Sequence, residues 1–213
     1  KKSFYINLSP TLPFINRETV IRKKEYLMFC ITEIAKYQSK NVGMIFFEDY
    51  FNELIFLIKN IKLLKEKIKS KIKFRVKSHI KDELDTTQIF KYYFDKCSHD
   101  NFLKRSFSDS ILNSKLVVHN FAQTAFTETM HMNIPSIVFC NPKIMQFDKF
   151  SLKTFNLLKK NNIAFNNSRE SINFINKNWN EIDKWWNSKN VQRARNFYLK
   201  NYFNVDEKPT LKW

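Results

Sequence analysis

Glycine is almost missing from this chain of 213 residues: Gly43 is the only one. That excludes a G-x-G-x-x-G dinucleotide loop and a G-x-x-x-x-G-K-[ST] P-loop, because each needs several glycines for the backbone to approach phosphate closely. Any phosphate cradle must then be built from helix N-termini and side chains. Cysteine is scarce as well. Cys30, Cys97 and Cys140 are odd in number and far apart, so no disulfide framework follows and a reducing compartment is the simpler expectation. Cys97-x-His99 has neither zinc-ligand spacing nor a second pair, so no metal is expected. No apolar run reaches the ~18 residues of a membrane span; Lys59 and Lys62 break the best candidate, Leu54 to Leu64. No signal peptide is legible either. The expectation is a cytoplasmic protein.

What the chain has is apolar mass and positive charge. It is 43% hydrophobic and 16% aromatic, enough to bury a sizeable core. Lys plus Arg number 37 against 20 Asp plus Glu, for a net charge of +17, which suits phosphate-bearing partners. Only seven of those cations are Arg, whereas nucleic-acid binders favour Arg for bidentate contacts. Abundant Lys, Asn, Ile and Phe together resemble a compositional bias. Nucleic acid is therefore not the expected partner, although a basic, non-catalytic nucleic-acid-binding α/β domain stays open as the alternative. A peripheral contact with an anionic membrane surface is the other expectation from charge.

Periodicity sketches the elements. Glu18 to Tyr37 carries apolar residues at helical spacing, and Asp49 to Ile72 reads as one long helix with lysines outside. Ser3 to Leu8 alternates like a short strand. Lys73 to Lys77 reads as a strand, Thr87 to Lys96 as a helix, and Ser106 to Asn113 as a short helix opened by a Ser cap. Lys115 to Val118, Gln123 to Met132 and Ser136 to Phe139 form a β-α-β unit of a parallel sheet. Helices follow at Lys149 to Asn161, Ser168 to Trp179 and Ser188 to Phe203, with a short strand at Ile163 to Phe165. The expected architecture is one α/β domain over residues 1–213: a Rossmann-like parallel sheet with flanking helices (core about 40–166) and a helical tail (about 167–213).

Ligands of open parallel sheets bind outside the carboxyl ends of the strands. Three predicted strand ends carry polar or reactive groups: Lys77-Ser78-His79, His119-Asn120 and Cys140-Asn141. The helix start Phe121 to Glu128 is rich in hydroxyls. Its backbone N–H groups, with Thr124 and Thr127, offer an anion site beside Asn120 and Gln123. Glu128 lies one turn beyond Thr124, placed to accept hydrogen bonds from sugar hydroxyls. Arg75 faces away from Phe74 and Val76 and is a candidate for phosphate or a carboxylate. Plain structural roles remain open for each: a capping pair for Asn120 and Gln123, a loop bond for His119, a lysine partner for Glu128.

The stretch Ser114 to Phe139 (SKLVVHNFAQTAFTETMHMNIPSIVF) resembles the donor-side motif of bacterial transferases of surface-carbohydrate and O-antigen biosynthesis. Trp185 to Phe197 (WWNSKNVQRARNF), followed by Tyr202, is similar to that family's WW-x-S-x-x-V-Q-x-A-R-x-x-F ending. The resemblance spans roughly Lys73 to Phe203. It implies a GT-B-like glycosyltransferase, with two Rossmann-like halves and a nucleotide-sugar donor held mainly by the C-terminal half. The acceptor implied is a glycan or lipid-linked glycan, with no cofactor beyond the donor. Arg75-Val-Lys77-Ser78-His79 is similar to the K-P-H-P signature of capsule and Kdo-type transferases, although Ser78 and Ile80 replace both prolines. By this resemblance His79 and His119 are the catalytic candidates. Arg75, Lys77, Asn120, Gln123, Thr124, Thr127 and Glu128 are the donor-binding candidates. Two Rossmann halves need well over ~300 residues, so the expectation is the C-terminal, donor-binding half of a longer protein. The tail aromatics, Trp179, Trp185, Trp186, Phe197 and Tyr202, are expected to brace a C-terminal helix across the cleft or to complete the core.

Overall fold

A computed structural model describes residues 24–32, 46–77, 86–100, 106–145 and 147–203. The strand expected at Ser3 to Leu8 and the candidate His79 lie outside these residues. The chain runs β1 (Tyr26–Thr32), α1 (Phe47–Ile61), α2 (Glu66–Lys69), β2 (Ile72–Lys77), α3 (Thr86–Tyr93), β3 (Ser98–His99) and α4 (Phe107–Ile111). It continues through β4 (Ser114–His119), α5 (Thr124–His131), β5 (Ser136–Phe139), α6 (Lys149–Lys160) and β6 (Ala164–Phe165). The tail is α7 (Ser168–Asn178), a 3-10 turn at Trp179–Glu181, α8 (Ile182–Trp186) and α9 (Lys189–Tyr202). All six strands are parallel, in the order β3-β2-β1-β4-β5-β6. This is the doubly wound order in which the chain winds outward from β1 in one direction and from β4 in the other.

The largest departure from expectation is β1. Residues Tyr26 to Thr32, read by spacing as part of a helix, form the central strand. The run YLMFCIT contains no charge, and Leu27 to Ile31 are all buried. A strand covered on both faces shows a continuous apolar run without alternation, which a helical template also fits. Burial on the two faces separates the residues by parity. Leu27, Phe29 and Ile31 join the core under α1 and α7, whereas Met28 and Cys30 pack with Ile111 and Val117 on the other face.

The second departure is α1, which ends at Ile61 rather than Ile72. Leu64 and Ile68 fold back as buried plugs. Asn176 of α7 secures this turn by accepting from the Lys65 N–H at 2.9 Å and donating to the Leu63 carbonyl at 2.9 Å. The following residues, Ile72 to Lys77, pair with β1 in register from Leu27↔Ile72 to Thr32↔Lys77. The β4-α5-β5 unit appears as expected, and β5 coincides with Ser136 to Phe139. Ser106 caps α4 by accepting from the Asp109 N–H.

The tail is part of the core. Ile172, Ile175, Trp179 and Ile182 close the face shared with α1; Trp186, Val191, Ala194 and Tyr198 close the opposite face over α5 and α6. The scarcity of glycine leaves a mark here. Helices α5 and α6 both end in Schellman turns whose left-handed residue is an asparagine, Asn133 (φ 54°) and Asn162 (φ 57°). Asparagine tolerates that conformation better than other non-glycine residues. Ile134 N–H bonds back to Thr129 O, and Ile163 N–H to Leu158 O.

Candidate functional site

The sheet reverses its winding between β1 and β4, the point at whose carboxyl edge sheets of this kind usually form a ligand crevice. Thr32 ends β1, and His119-Asn120 ends β4. Asn120 spans the gap: its Oδ1 accepts from the Thr32 N–H at 2.9 Å, and its Nδ2 donates to the Thr32 carbonyl at 3.0 Å. These two bonds mimic a further rung of parallel pairing and fix the mouth of the crevice. Asn120 is buried, so its amide shapes the floor.

His119 lies beneath that floor. It is 2% exposed, edge-on to Phe126, with Nε2 3.2 Å from Thr129 Oγ1. Thr129 gives its own proton to the Phe126 carbonyl, so its oxygen accepts from His119, and the imidazole carries its proton on Nε2. Burial pushes its pKa down to about 3. The ring is therefore neutral at working pH and acts as a buried anchor of α5, not an exposed acid or base. Cys140, at the end of β5, is likewise inert: burial first, with the nearby Glu53 charge, pushes its thiol up to about 12 against a backbone hydrogen bond from Ala122.

At the crevice mouth, α5 begins. Gln123 occupies the N-cap without a side-chain capping bond, the first turn holds no acid, and Thr124 is exposed. The first N–H groups of a helix have no intrahelical acceptors and carry the positive end of the dipole. Glu128 is half-buried one turn on. Thr127 behaves differently from Thr124. It is buried, donates to the Gln123 carbonyl at 3.3 Å, and shares a 2.8 Å hydrogen bond with the Tyr198 hydroxyl of α9.

That bond belongs to a larger clamp. Trp185 Nε1 donates to Asn161 O at 3.1 Å, and Trp186 Nε1 donates to Asn133 O at 3.1 Å and Asn133 Oδ1 at 3.0 Å. Gln192 Nε2 reaches the Trp186 carbonyl and Asn133 Oδ1; Arg195 donates to the Met130 and His131 carbonyls at the C-terminal end of α5. The tail motif thus grips the turns that close α5 and α6, and Arg195 complements the negative end of the α5 dipole. The tail aromatics complete the core and hold α5 in place.

Arg75 and Lys77 stand on β2. Arg75 is buried, with Nη1 2.6 Å from Asp100 Oδ2 and 2.8 Å from Ser110 Oγ, and its guanidinium lies over the Phe107 ring. Ser110 also donates to Asp100. Burial works to raise the Asp100 carboxyl, but hydrogen bonds from Ser110 and Arg75 and the charges of Lys73 and Arg75 outweigh it and hold it below the usual range. Arg75 therefore answers the carboxylate alternative at an interior pair. Lys77 ends β2 in register with Thr32.

Sequence reasoning missed the lining residues that α1 supplies, Tyr50 and Glu53 among them. A small cleft opens between α1 and the ends of β4 and β5, bordered by Tyr50, Glu53, Asn120, Phe121, Cys140 and Asn141. Glu53 Oε1 accepts from Asn141 Nδ2 at 3.0 Å, and the Tyr50 and Phe121 rings stack at 6.1 Å. Glu53 is one of three acids on α1, with Glu48 and Asp49, so no sequence signal singled it out.

A six-stranded parallel sheet wound outward in two directions from β1 and β4 defines an α/β domain of Rossmann type. The sequence matches the LIC12162 family transferase over residues 5–213. The chain belongs to that transferase family. No curated protein matches the chain. Among solved structures, it is similar to the catalytic domain of cholesterol-alpha-glucosyltransferase from Helicobacter pylori, at 19% identity over 79% of this chain and 98% of that one, with a TM-score of 0.45. It is also similar to the wall teichoic acid polymerase TagF H548A, at 12% identity over 83% of this chain and 39% of that one, with a TM-score of 0.41.

Proposed function

We propose that this transferase is a GT-B-type glycosyltransferase, of which the chain forms the donor-binding half. It would transfer a sugar from a nucleotide-sugar to a glycan or lipid-linked glycan in bacterial surface-polysaccharide (O-antigen) biosynthesis. The observation that carries the reading is α5: a helix start without an acid or a side-chain cap, at the mouth of the switch-point crevice of a transferase-family chain. Its first-turn N–H groups, with Thr124 and Gln123, would receive the donor phosphate. Glu128 would accept from ribose or sugar hydroxyls, and the Glu53 cleft lies beside them.

Catalysis on this reading is electrostatic. As the bond between the anomeric carbon and the phosphate oxygen lengthens, negative charge grows on the departing nucleotide, and fixed N–H dipoles at α5 stabilise it without reorganising. Lys77, at the end of β2, and His79, two residues further along the sequence, are proposed to add positive charge. His119, Asn120 and Thr127 position the helix and the crevice floor. A peripheral approach to an anionic membrane would bring the crevice to a lipid-linked acceptor.

The test is nucleotide binding by calorimetry to the wild type, Glu128→Ala and Thr124→Val. The expected outcome is at least a tenfold weaker association in Glu128→Ala, roughly 1.4 kcal/mol for lost hydroxyl contacts, with folding intact. Unchanged affinity in both variants would remove α5 from the site.

A further inference from the structure

Helix α9 reaches the first turn of α5 through one side chain. Tyr198 is 4% exposed, and its hydroxyl lies 2.8 Å from Thr127 Oγ1. The ring stands edge-on to Phe126, with centroids 5.2 Å apart, and stacks on Tyr202 at 4.9 Å. Packing on both sides therefore fixes where the hydroxyl sits. The direction of the protons follows from the partners. Thr127 has one hydroxyl proton to give, and it goes to the Gln123 carbonyl at 3.3 Å. Tyr198 is then the donor to Thr127. Burial above all pushes the Tyr198 pKa up to about 12, so the phenol keeps that proton at working pH.

The Gln123 carbonyl also accepts from the Thr127 N–H at 3.0 Å. It belongs to a planar, trans peptide whose other end is the Thr124 N–H, and the two ends point in opposite directions. Two bonds that draw the carbonyl along α5 thus aim the Thr124 N–H out of the first turn. Because α5 follows β4, that N–H faces the carboxyl edge of the sheet. The groups run head to tail: Tyr198 O–H, Thr127 O–H, Gln123 C=O, Thr124 N–H. In such a chain each hydrogen bond polarises the next, and a peptide that accepts at its oxygen donates better at its nitrogen.

We propose that Tyr198 is a positioning residue: through Thr127 and the Gln123 carbonyl, its hydroxyl orients and strengthens the Thr124 N–H as a donor to the nucleotide phosphate. Its own burial keeps it from the ligand. This deepens the donor site of the proposed function and rests on that reading.

The experiment is calorimetric titration of the full chain with CMP, CDP, UDP and GDP, in wild type, Tyr198→Phe, Thr127→Val, the double variant and Trp185→Phe. Tyr198→Phe should bind the wild type's nucleotide about three- to tenfold more weakly, the scale of one neutral hydrogen bond. Thr127→Val should lose as much, and the double variant no more than either, since both break one relay. Trp185→Phe loosens the same tail at Asn161; it should lower Tm and leave affinity unchanged. A second readout needs no ligand. Tyr198→Phe keeps the ring and its ring current, so an upfield move of the Thr124 amide proton in the NMR spectrum reports the broken relay. Unchanged affinity in Tyr198→Phe, additive losses in the double variant, or an equal loss in Trp185→Phe would overturn the proposal. So would a Thr124 amide proton that stays at its wild-type position. A wild type that binds no nucleotide, while Tyr198→Phe still moves that proton, would reject the donor reading and keep the relay.

Discussion

Trp186→Phe tests whether the tail motif is a structural clamp on α5. The indole is 2% exposed and sits among Phe126, Val138, Leu158 and Val191. Its N–H serves two oxygens of Asn133, the carbonyl at 3.1 Å and the side chain at 3.0 Å. In the variant Asn133 Oδ1 keeps Gln192 at 3.3 Å, but the carbonyl loses its indole donor. Asn133 is exposed, so water can replace the indole, and the lost bond costs about 0.5–1.5 kcal/mol. The smaller ring leaves a partial void worth about 1 kcal/mol more. The sum is roughly 1.5–2.5 kcal/mol, which for a domain of this size lowers Tm by roughly 3–10 °C. Urea unfolding followed by far-UV circular dichroism measures it directly. Trp185→Phe is the comparison: it loses one bond to Asn161 from a partly buried indole, so its loss should be about half as large. A Trp186→Phe protein within about 0.5 kcal/mol of wild type would refute the clamp.

Two further predictions concern buried charge. His119 refuses a proton in the folded chain until about pH 3, whereas in the unfolded chain it takes one near its ordinary value. Unfolding therefore absorbs a proton between those limits, and stability falls on acidification below about 6.5, by about 1.4 kcal/mol per pH unit for this group. Urea unfolding at pH 7 and pH 5 should show a smaller acid loss in His119→Asn than in wild type; identical losses would show that the histidine titrates freely. Asp100→Asn leaves the Arg75 guanidinium without its carboxylate at a site where both side chains are under a tenth exposed. The cost should be about 3 kcal/mol, read as a lower urea midpoint at pH 7. Because the Asp100 carboxyl is held low, the stability it confers is complete above its ordinary value and vanishes as pH falls through the native one. A loss below about 1 kcal/mol at pH 7 would class the pair with weak surface bridges.

The legible part of the fold was the part with local punctuation. Pro135 before a four-residue apolar run marked β5, and Ser106 marked the start of α4. Strand β1 was hidden because a run buried on both faces has no period of its own; its parity appears only once α1 and α4 cover opposite sides. That omission displaced the site. The ends of β4 and β5 are neighbours, but β1 stands between them and the end of β2, and its Thr32 is joined to Asn120. Helix α5 and its order of residues were readable from Gln123 to Glu128. What could not be read was which hydroxyls were already engaged: Thr127 faces Tyr198 across 71 positions of sequence, and Thr124 does not. Glu53 became a lining residue only through its contact with Asn141, 88 positions away.

The central claim is that the α5 crevice binds the phosphate of a nucleotide-sugar donor. The most direct measurement is a thermal-shift panel of CMP, CDP, UDP, GDP, their sugar conjugates and a short DNA oligomer at two salt concentrations. A ligand at one hundred times its Kd adds about 2.7 kcal/mol of stability. The account predicts a clear, salt-tolerant rise in Tm with one nucleotide class. A rise with the oligomer alone, at low salt only, would contradict it and make the positive charge a nucleic-acid signal.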